Sequence, residues 1–242
     1  MKPSVSRRMA AVVLAGGLGT RVRALYPDLP KPMIPVSGRP FMDWILMHLW
    51  EQGIREVVIS AGYLGDVIAG YYRTHPMTGL SVSVVQEPEP LGTAGAFLYA
   101  QNHTSAAKLL VLNGDSLVCA PLGEFARSSD PAVILGVEVQ DSSRYGTLDV
   151  DVEGRLLRFG EKQRGAGMIN AGVYLFRRET LRLFPRKLPL SFETDVFPAL
   201  IACEAAVRVR VVRAPFLDMG TPESLLTAAS FINSHFSWHA TL

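Results

Sequence analysis

A single rhythm constrains what this chain can fold into. Through its first 140 residues, short apolar runs alternate with amphipathic stretches. "MAAVVLA" (9–15), "REVVISA" (55–61), "LSVSVVQ" (80–86), "KLLVLNGD" (108–115) and "PAVILGVEV" (131–139) read as buried strands. Between them, "FMDWILMHLWEQG" (41–53), "LGDVIAGYYRTH" (64–75) and "TAGAFLYAQNH" (93–103) read as helices, the first stopped by Gly53. Strands separated by helices predict an α/β chain with a mostly parallel sheet covered on both faces. After residue 140 the rhythm changes. "YGTLDVDVEGRLLRFGEK" predicts a hairpin around "VEGR", and "MINAGVYLFRR" a further strand. "SFETDVFPALIACE" predicts a helix capped by Ser191, and "VRVRVV" a half-exposed strand. "TPESLLTAASFINSHF" predicts a closing helix with Thr221 as N-cap and Pro222 at its first position. No repeat or linker interrupts the pattern, so one domain is expected over 1–242, its second half extending the sheet begun by 1–140.

Composition narrows the chemistry. The chain has 242 residues and a net charge of +2, from 24 basic and 22 acidic side chains. That length supports a substantial core. That balance argues against nucleic acid as the partner, so an anionic ligand has to be held by individually placed cations. The two cysteines, Cys119 and Cys203, have no metal-binding spacing and read as small apolar filler in a reducing cytoplasm. His235 and His239 lie four apart near the C-terminus without an acidic or third ligand, and read as tail residues. The basic, apolar start resembles a secretory signal, but Gly16 and Gly17 break the apolar run. A short disordered lead and a cytoplasmic domain are expected, with no membrane span.

The first apolar run leaves through "AGGLGTRVRALYPDLPKPMIP" (15–35). Glycines let backbone N–H groups approach phosphates without interference from Cβ. Arg21 adds a permanently charged donor fork. Pro30 and Pro32 stiffen the backbone around Lys31, as a positioned charge requires. The segment is neither a Walker A loop nor a dinucleotide fingerprint: no Gly-Lys-Ser/Thr follows, and a proline-rich stretch stands where a helix would begin. Asp115 follows the apolar strand "LLVL" and Asn113-Gly114. Asn-Gly often marks a hairpin, but the residues after it do not alternate like a partner strand. An aspartate at the carboxyl end of a buried strand suits a magnesium ion, and Asp218 in "PFLDMG" repeats the pattern. Two such carboxylates brought together repel unless a divalent cation lies between them.

From "AVVLAGGLGTRVRALYPDLPKPMIPVSGRPFMDWIL" onward the chain resembles the sugar-1-phosphate nucleotidyltransferases. The resemblance runs in order through "EPEPLGTAGAF", "LVLNGDSL", "SRYGTLDVD", "GEK", "INAGVYLF" and "FLDMGTPESL". Within that family the short length, "EPLGTAG", "SRYG" and "FLDMGTPE" are most similar to the heptose-1-phosphate guanylyltransferases. The resemblance implies a Rossmann-like three-layer α/β/α fold with a mixed, mostly parallel sheet, a nucleotide-binding half (1–140) and a sugar-binding half (141–242). It implies Mg²⁺-dependent transfer of a nucleoside monophosphate to a sugar 1-phosphate, with release of pyrophosphate.

The family pattern assigns roles by position. Arg21 is expected on the β- and γ-phosphates, Lys31 near the α-phosphate and Lys162 on the phosphate of the sugar. Leu14, Ala15, Gly16, Gly17, Gly19, Thr20, Gly92, Thr93 and Asn113 are expected around the nucleotide. Glu87 is expected to read the base. A carboxylate can accept both the ring N–H and the amino group of guanine, which favours GTP over ATP but leaves UTP open. Gly146, Glu161 and Asn170 are expected at the sugar, and Asp115 and Asp218 at the metal. Gln163 replaces the proline that often follows Lys162 in the family. Competing expectations are mannose 1-phosphate as acceptor, uridylyl or thymidylyl transfer to a hexose 1-phosphate, and a non-catalytic nucleotide-sugar-binding subunit. The sequence leaves open whether the chain works alone or as a homo-oligomer.

Overall fold

A computed structural model describes residues 9–160 and 164–238. The N-terminal lead, Glu161, Lys162, Gln163 and His239 all lie outside the described residues. The chain begins with β1 (Met9–Ala15), a hairpin of β2 (Pro35–Val36) and β3 (Arg39–Pro40), and α1 (Phe41–Glu51). It continues through β4 (Glu56–Ala61), α2 (Gly65–Thr74), β5 (Ser81–Gln86), α3 (Thr93–Ala100), β6 (Lys108–Asn113) and β7 (Ser116–Val118). A short α4 (Leu122–Phe125) leads into β8 (Ala132–Val139), β9 (Thr147–Val150), β10 (Leu156–Gly160) and the long β11 (Gly167–Arg177). The chain closes with α5 (Phe197–Ala202), β12 (Val207–Val212), β13 (Phe216–Asp218) and α6 (Pro222–His235).

The expected elements form, with local differences. The helix expected over 93–103 ends at Ala100 and tightens into a 3₁₀ turn at Gln101–His103. The one expected from Ser191 opens with a π-turn at Phe192–Val196 before α5 begins at Phe197, a residue ahead of Pro198. A proline at that position has no N–H to lose from an α-helical ladder. Thr221 caps α6 in a reciprocal box with Ser224. β12 alternates as read: Val207 and Val209 point inward, and Arg208 and Arg210 reach out to Asp130.

Nine strands share one sheet. β6, β1, β4 and β5 lie side by side in parallel. β11 joins β6 antiparallel, carries β8 on its other edge, and meets the β9–β10 hairpin beyond the end of β6. β12 completes the far edge, parallel to β8. β1 is buried on both faces, and its alternation divides the core. Ala11 and Val13 face a layer that includes α1, α2 and α6, whereas Ala10 and Val12 face α3, α5 and the phenylalanines 97, 176, 184, 192 and 197. Each large apolar side chain so buried contributes about 1.5–3 kcal/mol. The result is a three-layer α/β/α sandwich with a mixed sheet. No helix among the described residues is long and apolar enough to cross a membrane.

Candidate active site

The carboxyl ends of β1, β4 and β6 open into a cavity of about 810 Å³. A crevice at the strand ends is where an open α/β sheet accepts ligands. Its floor is the exit from β1, Gly16 to Arg21, and Lys31 enters from a 3₁₀ turn between Pro30 and Pro32. Residues 20–25 turn without forming a helix, held by Val22 and Arg23 N–H groups that donate to the Gly19 carbonyl at 3.0 Å each. Across the cavity, Glu87 stands just past β5. Its carboxylate accepts from Ser60 Oγ at 3.3 Å and from the Leu91 backbone N–H. Burial nevertheless raises its pKa above the usual carboxylate value. A Cβ on Gly16 would lie 2.4 Å from Glu87 Oε1, so only glycine at position 16 leaves this carboxylate where it is.

The acidic pair sits where β6 leaves the sheet. The Gly114 N–H donates to the Leu14 carbonyl at 2.8 Å, so that carbonyl is already engaged by the protein. Asn113-Gly114 makes no hairpin with β6: β7 turns away and pairs antiparallel with β13, which sets Asp218 opposite Ser116. The Met219 N–H then donates to the Asp115 carbonyl at 2.8 Å, locking the two aspartate segments together. Lys31 Nζ lies 2.6 Å from Asp115 Oδ2, and Arg144 lies 3.3 Å from Asp218 Oδ2. Burial, followed by the negative charge of Asp115, raises the pKa of Asp218 despite both nearby cations.

A second cavity, of about 220 Å³, opens on the other side of the same aspartates. Asn113, Asp115 and Asp218 line both cavities. The smaller one is completed by Arg144, Tyr145, Gly146, Asn170, Glu193 and Phe216, among others. Nothing lies within 4 Å of where a Cβ on Gly146 would stand, so the space beside it is open.

A backbone seam joins the walls of the two cavities. The Leu190 N–H donates to the Leu91 carbonyl at 2.8 Å, and the Ala94 N–H to the Leu190 carbonyl at 2.9 Å. Gly92 has φ +77°, and a Cβ there would lie 2.5 Å from the Leu190 oxygen. The close approach that Gly92 allows is therefore to the protein's own backbone. Thr93 Oγ1, one residue on, accepts from the Phe192 N–H at 3.1 Å.

Leu14, Ala15, Gly16, Gly17, Gly19, Thr20, Arg21, Lys31, Glu87, Gly92, Thr93, Asn113, Asp115 and Asp218 all line the larger cavity. Gly146 and Asn170 line the smaller one. Arg144 and Tyr145 were missed although they stand inside the quoted "SRYG". Glu193 was missed because an acid in the first turn of an expected helix is explained by the helix dipole alone. Tyr63, over whose ring Arg23 stands at 4.4 Å, gave no sequence signal. Cys203 is exposed and so is not core filler, while Cys119 is half-buried with its thiol pKa pushed up to about 11 by burial.

Residues 10–235 match the Nucleotidyl transferase family. The chain belongs to that family. It is 32% identical over 216 residues to the D-glycero-alpha-D-manno-heptose 1-phosphate guanylyltransferase of Campylobacter jejuni, covering 89% of this chain and 96% of that protein. It is 34% identical to the mannose-1-phosphate guanylyltransferase of Mycobacterium tuberculosis, covering 93% of this chain and 65% of that one. The crystal structure of HddC from Yersinia pseudotuberculosis complexed with GMP-PN superposes with a TM-score of 0.82 at 33% identity, covering 91% of this chain and 98% of that chain. As a nucleotidyltransferase, the chain has a reason for two cavities with one acidic wall between them.

Proposed function

We propose that this nucleotidyltransferase is a guanylyltransferase that joins GTP to a sugar 1-phosphate, D-glycero-α-D-manno-heptose 1-phosphate before others, forming a GDP-sugar for surface polysaccharide. The shared wall of Asn113, Asp115 and Asp218 carries this reading, because it lets a ligand in each cavity meet at one point. In this reading 1–140 supplies most of the nucleotide side and 141–242 most of the sugar side. A cytoplasmic enzyme fits the supply of nucleoside triphosphates.

Both reactants are polyanions. Two unit charges 4 Å apart interact by about 4 kcal/mol at an effective dielectric near 20, and several such pairs meet here. Positioning and charge compensation therefore carry the catalysis. A phosphate oxygen of the sugar 1-phosphate attacks the α-phosphorus in line. The bond from that phosphorus to the bridging oxygen breaks, and its electron pair leaves with pyrophosphate. Lys31 neutralises charge gathering on the α-phosphate, Arg21 holds the departing pair of phosphates, and Lys162 holds the sugar phosphate. Glu87 accepts the paired N–H donors of guanine. Asp115 and Asp218 supply hard oxygen donors and suit Mg²⁺, which takes one or two carboxylates together with phosphate oxygens. When bound, Mg²⁺ adds charge compensation for the triphosphate.

Pyrophosphate release across four nucleoside triphosphates and several sugar 1-phosphates tests the reading. GTP with the heptose 1-phosphate should react fastest, with mannose 1-phosphate the nearest competitor. Preference for UTP or dTTP would overturn the base assignment, and silence from every pair would overturn the activity. Lys162→Ala should raise the KM for the sugar phosphate; unchanged KM and kcat would remove Lys162 from its role.

A further inference from the structure

Asn170 was the expected sugar-binding amide, but both of its amide hydrogens and one lone pair of its oxygen are used inside the protein. Its Nδ2 donates to Tyr174 Oη at 2.8 Å and to Glu193 Oε1 at 3.1 Å. Its Oδ1 accepts the Gly172 N–H at 3.0 Å. The carboxylate on one side and the N–H on the other fix the amide's orientation, since a flip would set oxygen against oxygen and N–H against N–H. Both amide hydrogens are used.

Glu193 is in the opposite condition. It lines the smaller cavity, and one of its oxygens is held by Asn170. Its other oxygen, Oε2, makes no hydrogen bond and no ion pair among the described residues. The turn that carries it is anchored from behind. Phe192 is 1% exposed, with its ring stacked 5.5 Å from Phe176 and 4.9 Å from Tyr174. Glu193 follows directly in a π-turn, a distortion that recurs at functional sites. An ionised carboxylate only accepts hydrogen bonds, and sugar hydroxyls are the donors that a sugar 1-phosphate brings.

We propose that Glu193 reads a hydroxyl of the sugar ring, and that Asn170 is a positioning residue that aims it. This rests on the sugar-1-phosphate reading of the smaller cavity. Glu193→Gln keeps the size of the side chain but offers an amide where a pure acceptor stood. Steady-state kinetics with the preferred sugar 1-phosphate and its monodeoxy analogues should show a rise of about tenfold or more in KM for the sugar, since a hydrogen bond to a charged group is worth about 1.5–3 kcal/mol. KM for GTP should not move, which also verifies folding. Wild-type enzyme should penalise loss of one particular hydroxyl, and E193Q should lose that penalty. Asn170→Ala should raise the same KM, and the double variant should be no worse than E193Q alone, because Asn170 acts through Glu193. An unchanged sugar KM in E193Q, or fully multiplying effects of the two substitutions, would overturn the inference. Failure of the proposed function looks different: wild-type enzyme would then turn over no sugar 1-phosphate at all.

Discussion

The two cavities on either side of Asp115 and Asp218 are built by different means. The larger one is shaped by backbone: a glycine-rich strand exit, a proline-framed lysine and a carboxylate seated in space that only glycine leaves free. The smaller one is shaped by side chains gathered from the loop before β9, from β11, β13 and the π-turn, among which Asn170 bonds to Glu193 and Arg144 to Asp218. A cavity made of backbone can accept one kind of ligand with little room for change. A cavity made of side chains can be retuned one residue at a time. Under the proposed function, that difference would pair a fixed nucleotide cavity with a sugar cavity open to retuning.

Substitutions can break or sharpen that contrast. The largest effect should come from the shared wall. Asp115→Asn should keep the fold and lower kcat at least ~100-fold in a pyrophosphate-release assay, as for other losses of transition-state charge stabilisation. Near-normal turnover would take Asp115 out of the centre of the site. Next is the seam. Gly92→Ala places a side chain at positive φ and against the Leu190 oxygen, with a cost of about 1–3 kcal/mol from backbone strain alone. Denaturant unfolding should show that loss, and KM should rise for both substrates together. A rise for GTP alone would mean that the seam does not connect the cavities.

Gly16→Ala separates them. It displaces the Glu87 carboxylate and should raise KM for GTP by about tenfold, the equivalent of one charged hydrogen bond, with KM for the sugar phosphate unchanged. The same carboxylate gives the larger cavity a pH signature. Under the proposed reading Glu87 has to be ionised to accept both guanine donors, and burial raises its pKa above the usual carboxylate value. As pH falls through that raised value, kcat/KM for GTP should fall, and in Glu87→Gln that acid limb should vanish. An acid limb that survives in the variant would assign it to another group. The smallest effect should be on stability at Arg144. Its pair with Asp218 is half-open to water, so Arg144→Gln should cost less than about 1 kcal/mol in unfolding.

How much of this was legible in the sequence follows the same division. Period and punctuation gave the strands of the main sheet, most helices and the caps at Ser191 and Thr221, because those depend on neighbours in the chain, but not the short β2, β3, β7 and β13, two or three residues each. The exit from β1, Lys31 between its prolines and Asp115 at a strand end were legible for the same reason. Arg144 and Glu193 were not. Their meaning comes from β11 bringing residue 170 beside residue 193, and from β13 setting Asp218 within reach of residue 144. No local pattern encodes either meeting. Asn170 lines the smaller cavity, but its bonds to Tyr174, Glu193 and Gly172 are visible only once the chain has folded.

The backbone bonds between Leu91 and Leu190 have one more consequence. They rivet the lip of the larger cavity at Leu91 to the turn that leads into Glu193 at the smaller one, so neither can shift without dragging the other. A change that moves the backbone at 190–192 should therefore reshape both cavities at once, whereas an exchange of the side chain alone at 193 should leave the larger one as it is.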